Sequence, residues 1–143
     1  MPSKGSMRLQ GDLLQTITSV YETLECFNAK TSERGDMIVT IGAVGSIQYT
    51  GTEVVEGELQ YGLNADMAAN EEMEIIPYVN GVEYSDDPQF LRGLGAGKPT
   101  SFFWISQIVI NPGDVFTLMA RSVNSPDVDV TFQRSSMALK VDG

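Results

Sequence analysis

At 143 residues, with a formal charge of −10 and no histidine, the chain is long enough for one domain with a real core and too short for two. Lack of histidine removes the usual general base, the Ser-His-Asp arrangement and the commonest transition-metal ligand together; Cys26, the only cysteine, leaves no internal disulfide and no thiolate zinc cluster. Nine scattered Lys and Arg on an acidic chain argue against direct contact with nucleic acid, and no long apolar run or hydrophobic leader indicates a membrane span or a secretion signal.

Residues 1–11 are polar, carry Lys4 and Arg8, and show no period. They read as an arm ahead of a single domain over residues 12–143, held by a neighbouring copy or a larger surface. Residues 12–24 admit two readings. Asp12 with Gln15 fits a capping pair, and Leu14, Ile17, Tyr21 and Leu24 recur at helical spacing. Thr16, Ile17, Thr18, Val20, Tyr21 and Thr23 are β-branched or aromatic and favour a strand over residues 15–26, which is the reading preferred here. Cys26 reads as a small, partly buried apolar residue rather than a reactive thiol. Residues 27–36 then form a polar loop and residues 37–41 a short apolar strand. Within that loop Arg34-Gly35-Asp36 is the tripeptide that integrins read, yet a turn ahead of Met37 accounts for Gly35 and Asp36 without it.

From Gly45 the pattern sharpens. Residues 46–51 are a short strand ending in a glycine turn. Residues 58–67 alternate Leu59, Tyr61, Leu63, Ala65 and Met67 against Gln60, Gly62, Asn64 and Asp66, the cleanest strand pattern in the chain. Residues 72–79 lead into Asn80-Gly81, the strongest two-residue hairpin signal, and return through Val82, Glu83 and Tyr84. Pro77 cannot donate to a ladder and marks an edge or a bulge. Residues 85–100 read as a long surface loop. Its Gly93-Leu94-Gly95-Ala96-Gly97-Lys98-Pro99-Thr100 imitates a phosphate loop but fails: Arg92 stands where the opening glycine belongs, Pro99 where the magnesium-binding hydroxyl belongs, and a strand follows.

The last forty residues hold three strand-patterned runs. Phe102, Phe103 and Trp104 are consecutive, so at least one ring leaves its own sheet's core and meets something else. Asn111-Pro112-Gly113-Asp114 suits a tight turn with φ > 0 at the glycine and is expected to make a hairpin of the first two runs. Phe116, Leu118 and Ala120 share one face of the second run, and Val128, Val130 and Phe132 one face of the third. Asp86, Asp87, Asp127 and Asp129 supply oxygens that a calcium ion would take, but without EF-hand spacing they read as solvated surface. Glu71, Glu72 and Glu74 lie near one another, as the carboxylate pairs of sugar hydrolysis do; Glu72 and Glu74 share a strand face expected to meet solvent, where nothing raises a pKa.

Eight or nine strands with no α/β alternation leave an all-β, two-sheet antiparallel sandwich or jelly roll. Gly45-Ser46-Ile47-Gln48-Tyr49-Thr50-Gly51, the alternating strand 58–67, Tyr78-Val79-Asn80-Gly81, Ile108-Val109-Ile110-Asn111-Pro112-Gly113-Asp114 and Met137-Ala138-Leu139-Lys140-Val141 together resemble a bacteriophage virion structural domain with the TNF/C1q-like jelly roll, over residues 43–141. The resemblance implies a homotrimer on a virion. It is either a head decoration (cement) protein, bound to the major capsid protein on the outer surface of the head after synthesis in the host cytoplasm, or a receptor- or glycan-binding tip of a tail fibre. The decoration role is the one expected. Tyr61, Phe102, Phe103 and Trp104 are the candidates for the trimer interface, and Lys4, Met7, Arg8 and Leu9 for a capsid-binding arm. No catalytic residue, metal or cofactor is assigned, and neither nucleic acid nor membrane is expected as a partner.

Overall fold

The computed structural model describes residues 2–84 and 88–142. Thirteen strands among them form two antiparallel sheets and no helix. The first sheet runs β11 (Thr100–Ile110), β7 (Val55–Asp66), β13 (Asp127–Val141), β1 (Ser3–Arg8), β4 (Ala29–Arg34), with β2 (Leu13–Thr18) also on β13. The second runs β10 (Gln89–Arg92), β8 (Glu72–Val79), β12 (Val115–Ser122), β6 (Ser46–Tyr49), β5 (Met37–Thr40), with β3 (Glu22–Thr23) on β12 and β9 (Val82–Glu83) on β8. The sheets close over one core that includes Phe27, Leu59, Leu63, Phe116, Phe132 and Leu139, all buried. This is a two-sheet jelly roll. Alternation along β7 and β12, and along β13 on either side of an irregularity at Gln133–Ser136, is the physical reason: each presents one apolar face inward and one wetter face outward.

The N-terminal segment is not an arm. Residues 3–8 pair with β13 on one side and with β4 on the other, in the interior of the first sheet. No period betrays β1 because two of its three inward positions, Ser3 and Gly5, carry almost no apolar surface. Gly5 is small of necessity: a Cβ there would come within 2.6 Å of Ile47 across the core. Met7 is only 1 % exposed and Leu9 is buried, so neither is free to grip a capsid; Arg8 is exposed and Lys4 half-buried on the outward face.

Other expectations change in detail. The single strand over residues 15–26 is two, because the chain leaves the first sheet after β2 and enters the second at β3. The polar residues 29–34 form β4, an edge strand that buries nothing fully and therefore lacks an apolar signature. β10 lies inside the segment read as a loop. The turn Asn111–Asp114 has the expected glycine at φ 86° and a bond from the Asp114 N–H to the Asn111 carbonyl (3.1 Å), yet β11 and β12 do not pair. They lie in opposite sheets, so the turn carries the chain across the sandwich. Pro77 sits opposite Leu118 of β12, and its carbonyl accepts the Tyr84 N–H at 3.0 Å. On that side β10 stops at Ile75 and β9 starts at Tyr78, so the missing donor faces a gap in the ladder.

The Asn-Gly hairpin, the Asn-Pro-Gly-Asp turn and the Gly45–Gly51 strand meet at one end of the sandwich. Asn80 and Gly81 have φ of 54° and 79°, a two-residue hairpin turn with both centres left-handed. The Asn80 Nδ2 donates to Asp114 Oδ1 (2.8 Å), the Val115 N–H donates to Asn80 Oδ1 (2.9 Å), and the Asn111 N–H donates to Asp114 Oδ2 (2.8 Å). The Gly113 N–H donates to the Tyr49 carbonyl and the Tyr49 N–H to the Asp114 carbonyl, each at 3.0 Å. Buried Asp114 thus ties together the hairpin, the crossing turn and the end of β6.

Since β1 belongs to the core, Met7→Ala is expected to lower the unfolding free energy by about 2–5 kcal/mol in a urea titration. Arg8→Ala, on the outward face, should stay within about 0.5 kcal/mol of the parent.

Candidate functional site

Strand β11, Thr-Ser-Phe-Phe-Trp-Ile-Ser-Gln-Ile-Val-Ile, has 11 residues and not one charge. It pairs along its whole length with β7 and has no strand on its other side among the described residues. Its inward face carries Phe102, Trp104, Ile108 and Ile110. Tyr61 of β7 stacks on Trp104 (centroids 5.1 Å apart, planes at 29°) and meets Phe102 edge to face (5.7 Å, 85°). The outward face carries Phe103, Ile105 and Val109, which are 62 %, 52 % and 56 % exposed. β10, the edge of the other sheet, lies beside β11 and adds exposed Phe90.

The four residues singled out as interface candidates therefore occupy different places. Tyr61 is in the core, Phe102 and Trp104 are half-buried against it, and Phe103 alone projects outward, over Gly62. A Cβ at Gly62 would lie 3.2 Å from the Phe103 ring, so glycine there lets the ring approach the strand closely. Asn64 follows on the same outward face, its Oδ1 buried with no hydrogen-bond partner among the described residues.

Register also assembles something that reading along the chain misses. Across the outward face of the first sheet, Gln107, Glu58, Lys140, Lys4 and Arg34 stand directly opposite one another on β11, β7, β13, β1 and β4. Three of the nine Lys and Arg thus form a row across adjacent strands, contrary to the expectation that they are scattered. Only Lys140 has an acidic neighbour on the row, Glu58 at 4.0 Å. Arg8 lies on the same face of β1 as Lys4. Like charges directly opposite on paired strands destabilise a sheet, so Lys140, Lys4 and Arg34 hold these positions at some cost.

On the outer face of the second sheet, Glu74 is buried rather than solvated. Residues 19–21 fold over that face. The Tyr21 hydroxyl donates to Glu74 Oε1 (2.6 Å), Arg121 Nε donates to Glu74 Oε2 (2.8 Å), and the guanidinium lies 4.8 Å from the centre of the Tyr21 ring. Burial, and then the bond to Glu74, hold the Tyr21 phenol well above its ordinary value. Burial pushes the Cys26 thiol up to about 12, as suits an inert core residue. Asp127 and Asp129 are exposed, and Asp129 accepts the Thr16 hydroxyl at 2.7 Å; Asp86 and Asp87 lie outside the described residues. Among the described residues no three acidic, His or Cys side chains gather as a metal site would require. The Gly93–Lys98 segment is closed by a Lys98 N–H bond to the Gly95 carbonyl and by Asp66 accepting the Gly97 N–H, so an acid sits where a phosphate would.

The two-sheet antiparallel jelly roll is the class of fold, and solved structures narrow it to the TNF-like kind. The chain is similar to Eiger TNF from S. frugiperda (TM-score 0.69, 9 % identity, 99 % of this chain and 93 % of that one) and to murine APRIL (0.61, 9 %, 99 % and 100 %). It is similar also to a chain of infectious bursal disease virus strain Gx, of which it spans about a third (0.53, 12 %, 100 % and 32 %). No protein-family model and no curated protein matches the sequence. At these identities the likeness is one of fold: the protein is a TNF-like jelly roll.

The Tyr21 arrangement carries a pH dependence of known sign. Unfolding lets the phenol ionise at its ordinary value of 10.0, whereas folding holds it protonated to higher pH. Its contribution to stability is complete below that value and is lost as pH rises from there towards the folded-state value. Urea titrations from pH 8 to 11 should show stability falling at the alkaline end, and Tyr21→Phe should fall less steeply.

Proposed function

We propose that this protein is a bacteriophage virion structural protein, a capsid decoration protein that trimerises and binds the outer surface of the head. The observation that carries this reading is β11, an uncharged edge strand with Phe103, Ile105 and Val109 left in solvent. Sheet edges in soluble proteins are shortened, charged or covered, and an apolar strip with a polar rim marks an interaction surface. A sister copy is the cover proposed for it. A donor from that copy also relieves Asn64, whose buried orphan oxygen otherwise costs about 1–3 kcal/mol.

The jelly-roll likeness to TNF-type chains and to a viral chain supports a role in assembly. Attachment to the shell then falls to the outward charges. Lys4 and Arg8 act from a strand rather than an arm, beside Arg34 and Lys140, as a cationic strip for an acidic patch of the major capsid protein. Three linked copies raise the local concentration at the shell, so modest contacts per subunit hold for a long time and brace it against the packaged genome.

Native mass spectrometry at micromolar concentration should give a trimer for the wild type and a monomer for Ile105→Lys, with circular dichroism unchanged. Lys4→Glu with Arg34→Glu should leave the trimer intact and reduce occupancy on purified heads. A wild-type monomer would sink the assembly reading, and undiminished occupancy of the charge variant would sink the role given to the strip.

A further inference from the structure

Asn80 is the only asparagine followed by glycine. That dipeptide is where the peptide nitrogen has least obstruction in attacking the preceding side chain, because glycine has no Cβ. Both residues are exposed at the tip of the β8–β9 hairpin. Yet the carboxamide of Asn80 is not idle: its Nδ2 is committed to Asp114 and its Oδ1 to the Val115 N–H, at 2.8 and 2.9 Å, and its backbone N–H to the Val115 carbonyl at 2.9 Å. We propose that Asn80 is a conformation-gated deamidation site, kept unreactive in the folded protein by the Asp114 clamp and released whenever this end of the sandwich opens.

The chemistry needs only water. The Gly81 nitrogen loses its proton and bonds to Asn80 Cγ, the Cγ–Nδ2 bond breaks, and ammonia leaves with a proton from solvent. The resulting five-membered imide takes up water at either carbonyl and opens to aspartate or isoaspartate. Carrying Cγ onto the Gly81 nitrogen turns the carboxamide away from both of its partners, so the reaction proceeds through the opened state and its rate scales with that state's population. The products cannot rebuild the clamp. A donor to Asp114 has become a second carboxylate facing it, where like charges repel; isoaspartate in addition lengthens the turn's backbone. Each event therefore removes the tie between the hairpin, the Asn111–Asp114 turn and the end of β6. The hairpin motif doubles as a one-way record of local opening.

The test is peptide mass spectrometry of the full chain held at pH 8 and 37 °C, following the amide-to-acid mass gain on the peptide bearing Asn80. The peptide bearing Asn124-Ser125 serves as an internal reference. Native wild type should convert at least about tenfold more slowly than the same protein in urea, and Asp114→Ala, if folded by circular dichroism, should approach the urea rate. Asp114→Asn offers one oxygen where the carboxylate offers two, to Asn80 Nδ2 and to the Asn111 N–H, so it weakens the clamp and should convert at a rate between those of native wild type and urea. Equal rates in native and urea-treated wild type would overturn the gating. A folded Asp114→Ala that converts no faster than wild type would overturn the clamp. If Asp114→Ala does not fold, Asp114→Asn decides the clamp instead: conversion faster than native wild type supports it, and a folded Asp114→Asn at the native rate overturns it.

Discussion

Strand β13 is 15 residues long and is paired on both flanks, and on one flank no single strand does it. β7 serves one side. On the other, β2 and β1 lie end to end, β2 against Asp127–Phe132 and β1 against Ser136–Val141. The ladder to β7 slips between Gln133 and Ser136, where Arg134 takes φ 42°, so a bulge falls where one neighbour hands over to the next. Unpaired backbone groups inside a closed sandwich are too costly to leave. This is why the first residues of the chain are a built part of the sheet although their composition resembles a tail.

The same requirement distributes the edges. With β1 interior, β4 becomes one edge of the first sheet, and it is defended. It carries Lys30, Glu33 and Arg34, and the Glu33 carboxylate accepts both the Val39 N–H of β5 (2.8 Å) and Lys30 (3.0 Å), bridging the two sheets. In the second sheet β5 and β10 are four residues each. β11 has none of these protections. It is long, flat enough to pair over every residue with β7, and uncharged. Among the described residues it is the longest edge strand without a charge.

How much of this is legible in the sequence follows from where side chains carry the pattern. β7, β12 and β13 announce themselves through alternating apolar runs: Leu59, Tyr61 and Leu63; Phe116 and Leu118; Val128, Val130 and Phe132. β1 does not, since Ser3 and Gly5 hold inward positions, and β4 does not, since it faces water and its neighbours rather than core. Glu74 escapes the pattern for a different reason. Alternation assumes one wet face, but Tyr21 packs on Tyr78 and bonds to Glu74 on the outer face of β8, and Ile76 is buried as well. Of the candidate site, the outward ring is readable from three consecutive aromatics, though not which one. The cationic row is unreadable, because positions 4, 34 and 140 become neighbours only through strand register.

Two unlike features share the outward face of the first sheet, and their physics divides the work between them. The apolar strip on β11 gains free energy only on contact, when water leaves Phe103, Ile105 and Val109. The row through Lys140, Lys4 and Arg34 acts earlier. On a chain of net charge −10, its field is felt only within about a Debye length, roughly 8–10 Å, beyond which the surrounding acids dominate. Were an acidic partner to dock there as proposed, the row would help to orient the encounter before any apolar surface is buried. Lysines and an arginine that face one another cost the sheet some stability, and under the proposed role that cost is offset by selectivity, since repulsion from the acidic remainder of the surface would suppress wrong approaches.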